Sequence, residues 1–200
     1  MRQHGVSLES FANTAELKKN SDAAKFPTDT ELADAIATRN QYQTLPSHRL
    51  AYILQEFELA SRDKFTAAEG IRAGLSIEHI MPQHWQEHWR TLPSGRVAPK
   101  DGGIPADEAM AAEISERNRL IQTLGNLSLL TPPANASASN SDFDGKKPRL
   151  IDALLRMNQD IAKQPQWSDT EIANRAKELG QLAPSIWPAP AAGNVFAAKA

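Results

Sequence analysis

Apolar residues recur every three or four positions in several stretches, which predicts a chain built mostly of helices. Residues 28–31 form a capping-box pattern at the start of the first helix. Residues 168–171 form another at the start of the last helix, which Gly180 is expected to end before a Pro- and Ala-rich tail from Pro184 onward. Three further helices are predicted between them, over residues 47–64, 106–122 and 150–161.

Two short segments have the pattern of strands. Residues 75–80 alternate between apolar and polar positions and are stopped by Pro82, which has no backbone N–H to continue a sheet. Residues 127–130 are mostly apolar and lead into a turn at residues 131–133. The two strands are expected to pair as a ribbon, so the predicted fold class is α+β and mainly helical. Residues 92–105 are rich in Pro, Gly and charge, which predicts an exposed loop and the best candidate for a mobile one.

Composition narrows the range of functions. The 200 residues are 40% hydrophobic, which is enough for a buried core. The formal net charge of -2 and a pI near 6.2 argue against DNA binding by bulk electrostatics alone, whereas a catalytic domain that a partner delivers to DNA is compatible with them. No apolar run reaches the roughly 18 residues of a membrane span, and no secretory signal is found near the N-terminus, so a cytoplasmic location without membrane contact is expected.

Cysteine is absent, which excludes disulfides and thiolate zinc sites. Any bound metal must therefore have oxygen or imidazole ligands, and these favour Mg²⁺ or Mn²⁺. Glu78 offers a carboxylate at the end of the first strand. The amide oxygen of Asn135 suits a hard cation and adds no charge that repels phosphate, with Asn140 as the alternative ligand and a turn-forming role as the alternative interpretation of Asn135.

His79 follows Glu78 directly, and the two can serve one site only if the strand ends there, as Pro82 suggests. Phosphodiester hydrolysis needs an activated water and neutralised charge in the transition state. An ordinary histidine titrates near neutrality, which suits His79 to the role of general base. Its other ring nitrogen needs an acceptor that fixes the tautomer, for which we expect a backbone carbonyl of the loop. Asn126, after Gly125, is expected to attach the loop to the strand rather than to touch the ion.

These motifs resemble a known family. The residues that carry the resemblance are 78–83, 124–130, Asn135, Asn140, Phe143, Lys146 and Lys147. They resemble the signature of the HNH-type nuclease domain at the C-terminus of GmrSD-like modification-dependent restriction enzymes. Residues 26–28 and 167–188 fit it as well, so the resemblance covers most of the chain. One position departs from the broader HNH pattern, since Glu replaces the more usual Asp before the catalytic His. The last residue of the motif is Asn rather than His, which other one-metal members share.

The resemblance implies a ββα-metal (His-Me finger) motif embedded in a helical shell. This core would span about residues 74–160 within a nuclease domain of residues 26–188, preceded by a helical or flexible lead-in at residues 1–25 and followed by a tail at residues 189–200. The resemblance also implies one divalent ion, Mg²⁺ or Mn²⁺, and a bacterial restriction or phage-defence role in which DNA is nicked or cut through both strands.

The family signature also assigns roles by position. His79 is the general base, Glu78 and Asn135 are metal ligands, and Asn126 orders the loop. The basic residues that follow are candidates for phosphate contact or for a solvated helix face: Lys146, Lys147 and Arg149. Family members usually carry an N-terminal nucleotide-hydrolysing domain that senses modified DNA. The sequence contains no Gly-rich phosphate loop, so such a domain or subunit is expected as a partner.

Other interpretations remain open. His84 and His88 lie four residues apart and make a candidate zinc trio with His79, although the residue after His84 is Trp85 and not the glutamate of a zinc peptidase. Trp85 and Trp89 are interpreted as a packing stripe, with base stacking as the alternative. A different class of function is a catalytically silent DNA- or partner-binding module on the same scaffold, because the net charge is low and no targeting domain is recognised.

Overall fold

A computed structural model of the chain describes residues 27–62, 74–132 and 141–188. In these residues the protein is mainly helical around one pair of strands, which confirms the α+β class. The helices are α1 (Asp29–Thr38), α2 (Gln41–Thr44), α3 (Ser47–Ser61), α4 (Glu108–Leu120), α5 (Phe143–Asp152), α6 (Arg156–Ala162) and α7 (Asp169–Ile186), and the strands are β1 (Ser76–His79) and β2 (Leu127–Leu130). The predicted lead-in and tail, together with Asn135 and Asn140, lie outside the described residues.

The two strands form an antiparallel ribbon, as the sequence predicts. Ser76 lies opposite Leu130, and His79 lies opposite Leu127. β2 is buried along its whole length, since helices α3 and α6 pack on it. Beyond His79 the chain stays attached to the ribbon, because the backbone N–H of Ile80 donates to the carbonyl of Asn126 (3.0 Å). β1 itself ends at His79, the residue that the sequence analysis predicts as the general base.

Capping boxes begin α1 and α7, as predicted. The Thr28 hydroxyl accepts a hydrogen bond from the N–H of Glu31 (3.2 Å), and the Glu31 carboxylate accepts one from the N–H of Thr28 (2.8 Å). Ser168 and Glu171 form the same kind of box at α7. These bonds satisfy backbone donors that the first turn of a helix leaves free. The start of both helices thus follows from local sequence.

α7 does not end at Gly180, so that prediction is wrong. The helix continues through Pro184 to Ile186, and the tail predicted from Pro184 onward does not include residues 184–186. A Cβ atom at position 180 would lie 2.5 Å from the carbonyl oxygen of Ala33 in α1. Glycine is needed here because two helix backbones approach closely, not because a cap requires a left-handed residue.

The helix predicted over residues 150–161 is broken into α5 and α6. The break lies at Leu154, whose φ of 55° falls in the left-handed region that a leucine rarely adopts. The buried carboxylate of Glu58 on α3 accepts hydrogen bonds from the N–H groups of Arg156 and Met157 (both 3.0 Å). A carboxylate satisfies the free donors at a helix N-terminus. α6 therefore begins where α3 supplies the acceptor, a tertiary effect that periodicity does not show.

α7 is the central packing helix of the described residues. It lies against α1 and against the 3₁₀ turn Leu124–Asn126, and α3 packs on both α7 and the ribbon. The helical shell therefore positions the turn that precedes β2. None of the described helices combines the length and the apolar composition needed to cross a membrane.

Residues 92–105 form an irregular and mostly exposed segment, as predicted. Arg96 attaches it to the start of α4, because its guanidinium pairs with Asp107 (2.8 Å) and Glu113 (2.9 Å). The segment turns at Gly95 and Gly102, whose φ values of 81° and 75° favour glycine. Its mobility stays a prediction.

Candidate active site

Asn126 joins the loop after β1 to the turn before β2. Its side chain is fully buried. The amide oxygen accepts from the N–H of Met81 (2.8 Å) and from Nε1 of Trp167 (3.1 Å), and the amide nitrogen donates to the carbonyls of Met81 (2.8 Å) and Ile121 (3.1 Å). Two donated and two accepted bonds use the full capacity of an asparagine side chain. Met81, two residues after the end of β1, is thus attached to the neighbouring turn through both of its backbone groups.

The turn that carries Asn126 packs tightly against α7. A Cβ atom at Gly125 would lie 2.2 Å from the carbonyl oxygen of Ile172, so a larger residue cannot enter without a backbone shift. Arg175 of α7 donates through Nη1 to three carbonyls within residues 124–127, at 2.8 to 2.9 Å. The position of Asn126 is therefore determined by a helix far along the chain, since Arg175 lies 48 to 51 positions from these carbonyls.

His79 is the last residue of β1 and is 8% exposed. Its Nε2 atom lies 3.3 Å from Oε1 of Gln122, just beyond α4. The ring of Tyr42 meets the imidazole edge to face, with centroids 4.3 Å apart and an interplanar angle of 73°. The partner of the second ring nitrogen is thus an amide side chain and not the backbone carbonyl that we expected. Within the described residues, no hydrogen bond is made to Nδ1.

The imidazole of His79 is neutral at physiological pH. Burial lowers the pKa of His79 from 6.5 to about 4; the hydrogen bond to Gln122 opposes this shift, and the charge of Lys146 adds to it. A neutral imidazole has one nitrogen with a proton and one with a free lone pair. His79 is therefore unprotonated over the whole neutral range. It is also a weaker base than an ordinary histidine, so the expectation of a pKa near neutrality is wrong.

Glu78 and Lys146 form a buried ion pair. Their side chains are 6% and 2% exposed, and the Lys146 ammonium also donates to the carbonyl oxygen of His79 (2.7 Å). Burial raises the pKa of Glu78 against the attraction of Lys146, and burial lowers the pKa of Lys146 against the attraction of Glu78. A lysine from α5 thus holds both the carboxylate and the backbone at the end of β1.

The three basic candidates of α5 lie in different environments. The ammonium group of Lys146 is buried against Glu78. Lys147 is 24% exposed and pairs with Asp144 (2.8 Å), whereas Arg149 donates to a carbonyl of its own helix (2.6 Å). Of the two lysines, only Lys147 therefore has its charge near solvent.

Residues 26–182 match the model of a protein family described as GmrSD restriction endonucleases, C-terminal domain. The chain belongs to this family. The resemblance inferred from the sequence motifs is thereby confirmed, and the match includes both strands and every contact described above. No curated protein and no solved structure matches the chain.

In this member of the GmrSD C-terminal family, the described residues supply only part of a ligand set for a divalent ion. Glu78 supplies a carboxylate, which hard cations prefer, but the ammonium group of Lys146 already holds it. Residues 27–62, 74–132 and 141–188 contain no cluster of three or more His, Asp or Glu side chains that could hold a metal. Asn135 and Asn140 lie outside these ranges. A cation at Glu78 would therefore have to share the carboxylate with Lys146 or displace it.

The alternative zinc trio is not assembled in this GmrSD-family chain. His84 and His88 flank the 3₁₀ turn Trp85–Glu87, so they do not share a face of an α-helix. Both are exposed, whereas His79 is buried. Trp85 is fully buried, as expected for a packing residue. The histidine spacing that favoured zinc is thus a feature of an exposed turn.

Sequence reasoning missed two residues that contact His79. Tyr42 belongs to a helix of four residues that the sequence did not predict, and Gln122 lies 43 positions from His79. The available signal for Gln122 is weak: with Thr123 it forms a polar pair between the apolar residues Ile121 and Leu124. Neither residue belongs to the motifs by which the GmrSD-like family was recognised.

Proposed function

We propose that this chain is a metal-dependent DNA endonuclease of HNH type, acting in a restriction or phage-defence system and nicking DNA or cutting both strands. Membership of a family of restriction endonucleases supports nuclease chemistry. The observation that carries the proposal is the end of β1, where His79, with a neutral imidazole, directly follows Glu78 and precedes a loop held by Asn126. The chain order β1, β2 and α5 supports a ββα motif within a helical shell.

His79 acts as the general base in this proposal. Its unprotonated nitrogen takes a proton from a water molecule, the water oxygen forms a bond to phosphorus, and the bond from phosphorus to the leaving oxygen breaks. The leaving oxygen takes a proton from solvent. Because the pKa of His79 is about 4, the ring is unprotonated over the whole neutral range, although it is a weaker base than an ordinary histidine. Asn126 contributes indirectly, since it holds the loop that follows the histidine.

Glu78 and Asn135, with Asn140 as the alternative, would hold one Mg²⁺ or Mn²⁺ ion. When bound, such an ion neutralises charge on the phosphate and assists departure of the leaving oxygen. Lys146 favours the ionised form of Glu78 and keeps its carboxylate in place. Glutamate in place of the more usual aspartate extends the carboxylate one methylene further from β1.

DNA is the proposed substrate. Lys147 and Arg149 are the proposed phosphate contacts, since Lys147 is partly exposed and the Lys146 ammonium is engaged by Glu78. A net charge of -2 gives little bulk attraction to DNA. We therefore propose that a nucleotide-hydrolysing, modification-sensing domain or subunit delivers this chain to DNA in the bacterial cytoplasm, in agreement with a family described as a C-terminal domain.

Plasmid cleavage tests the proposed base. With Mg²⁺ or Mn²⁺ present, His79→Ala should lower the cleavage rate by at least about 100-fold while the circular dichroism spectrum stays native. His84→Ala is the matched control, because His84 is an exposed histidine in the loop after β1. Its rate should stay within about twofold of the original. Undiminished cleavage by His79→Ala would show that another group activates the water.

A catalytically silent DNA- or partner-binding module is the second candidate. It is favoured by the low exposure of His79 and by the ion pair that engages Glu78. DNA binding by the purified chain without any product, in either metal, would support this candidate. Nicking that is lost in His79→Ala would exclude it.

A further inference from the structure

The contact between His79 and Gln122 defines which ring nitrogen is available. Oε1 of Gln122 is an acceptor without a proton of its own, and it lies 3.3 Å from Nε2. With Oε1 of Gln122 as the acceptor, the neutral ring makes this hydrogen bond as the tautomer that carries its proton on Nε2. Nδ1 then has the free lone pair, and no hydrogen bond from the described residues occupies it.

Gln122 is itself held at both backbone groups. Its N–H donates to the carbonyl of Arg119 (3.2 Å), and its carbonyl accepts from the N–H of Tyr42 (3.1 Å). The residue is 6% exposed, so few alternative positions of the side chain are open. The backbone of Gln122, whose side chain is the acceptor for His79, is thus held in place by hydrogen bonds.

Tyr42 links the second side of the imidazole to the same assembly. Its ring packs edge to face on His79, and its backbone N–H is the donor to Gln122. The preceding residue, Gln41, accepts a hydrogen bond from the N–H of Leu124 (3.1 Å) and donates to the carbonyl of Ala35 (2.7 Å). Helix α2 is therefore attached to the strip of chain that carries Gln122 and Asn126.

We propose that Gln122 and Tyr42 are positioning residues, which hold His79 as the tautomer protonated at Nε2 so that Nδ1 is the nitrogen that takes the proton from water. The proposal rests on the role of His79 as the base. The proton leaves the water oxygen for Nδ1 as that oxygen bonds to phosphorus, and the Nε2 proton stays on the ring throughout. The amide oxygen of Gln122 faces the ring as it becomes positively charged and stabilises that state.

The tautomer can be observed directly by nitrogen NMR. The chain has five histidines, so long-range ¹H–¹⁵N spectra of the imidazoles at pH 7.5 are simple enough to assign, with His79→Gln identifying the ring of interest. We expect His79 to have a protonated Nε2 and an unprotonated Nδ1. A proton on Nδ1 in the original chain would overturn the proposal whatever the enzyme activity.

Kinetics of DNA cleavage test the positioning role. Gln122→Met removes the acceptor at similar length and should lower the maximal rate by about 10- to 100-fold, with little change in the DNA concentration for half-maximal rate. Gln122→Glu keeps an acceptor oxygen and should retain the Nε2-protonated tautomer and most of the rate. Tyr42→Phe keeps the ring and should behave as the original, whereas Tyr42→Ala should resemble Gln122→Met. Gln166→Met, at an exposed glutamine, is the control.

The outcomes separate this proposal from the proposed function. If His79→Ala is inactive and a folded Gln122→Met retains the full rate, His79 is the base but Gln122 does not position it. If the original chain has the expected tautomer but His79→Ala cleaves normally, the nuclease role of His79 fails, and the catalytic role of Gln122 fails with it. Thermal melting of each variant shows whether a lost rate reflects a lost fold.

Discussion

Burial sets the protonation of the polar residues at the end of β1. His79, Glu78 and Lys146 are each less than one tenth exposed, and each loses hydration that a neighbouring group replaces only in part. Gln122 provides a hydrogen-bonding partner for His79, and Glu78 and Lys146 are partners of each other in an ion pair. Removal of a buried partner therefore costs more than removal of the same residue type from the surface.

The stability of the protein should depend on the protonation of His79. Because the folded pKa of about 4 lies below the ordinary 6.5, the unfolded chain binds the proton first as the pH falls. As the pH falls from 6.5 to about 4, His79 should therefore lower the free energy of unfolding by about 3 kcal/mol in total. His79→Gln lacks the titrating ring, so urea unfolding of both proteins at several pH values isolates the effect from that of Glu78. Parallel stability curves for the two proteins would contradict the low pKa.

The lysine that faces Glu78 should affect metal binding as well as stability. Lys146→Met leaves a buried carboxylate without its partner and should lower the free energy of unfolding by about 3 to 5 kcal/mol. Lys147→Met removes a partly exposed pair and should cost less than about 1 kcal/mol.

If Glu78 holds the proposed cation, Mn²⁺ should raise the melting temperature of Lys146→Met more than that of Lys147→Met, because no ammonium group then competes for the carboxylate. Equal shifts in both variants would show that Lys146 does not compete with a cation for the carboxylate of Glu78.

At the scale of elements, two glycines show how closely α7 approaches its neighbours. Gly180 faces a backbone carbonyl of α1, and Gly125 faces a backbone carbonyl of α7 itself, with Cβ positions 2.5 and 2.2 Å from the respective oxygens. Neither glycine is needed for a left-handed conformation, since neither has a positive φ. Their effects on function should differ, because only the turn with Gly125 carries Asn126.

Alanine at the two glycines should separate packing from positioning of the site. Gly125→Ala and Gly180→Ala should each lower the free energy of unfolding by about 3 kcal/mol, since the new methyl group must displace backbone. The fraction that remains folded should cleave DNA normally in Gly180→Ala and slowly in Gly125→Ala. Urea unfolding combined with cleavage rates per folded molecule provides the measurement. Equal rates per folded molecule would show that the turn before β2 does not position His79.

Local signals predicted the elements whose boundaries are set locally. The capping boxes at Thr28 and Ser168 and the strand stopped before Pro82 all depend on residues within a few positions of each other. The motif around Glu78 and His79 likewise indicated the family to which the chain belongs. Gly180 was misread because the local rule for a glycine cap was overridden by a close approach between two helices.

The partners of the site residues could not be predicted in the same way. Lys146 lies 68 positions from Glu78, and Gln122 lies 43 positions from His79. No spacing rule connects such pairs, because their proximity depends on how the helical shell closes around the ribbon. Lys146 was therefore assigned to phosphate or solvent, whereas its ammonium group lies against the carboxylate of Glu78.

At the scale of the whole molecule, a single buried arginine joins the irregular part of the chain to the helical shell. Arg117 of α4 is 1% exposed and pairs with Asp169 in the first turn of α7 (2.8 Å). Its guanidinium also donates to the carbonyls of Trp89 and Thr91 in the segment that follows β1, and it lies 4.7 Å from the ring of Trp85. Three parts of the protein that are distant in sequence therefore depend on one side chain.

Replacement of this arginine should destabilise the molecule as a whole. Arg117→Leu leaves Asp169 buried without its partner and two backbone carbonyls without a donor, so the free energy of unfolding should fall by about 3 to 5 kcal/mol. Arg119→Leu is the matched control, because Arg119 is an exposed arginine on the same helix that pairs with Glu116. Its effect should stay below about 1 kcal/mol.

Urea unfolding followed by tryptophan fluorescence and by circular dichroism should show one transition for both variants. If Arg117→Leu instead lost the tryptophan signal at low urea while the helices stayed intact, the segment after β1 would be an independent unit rather than part of one cooperative fold.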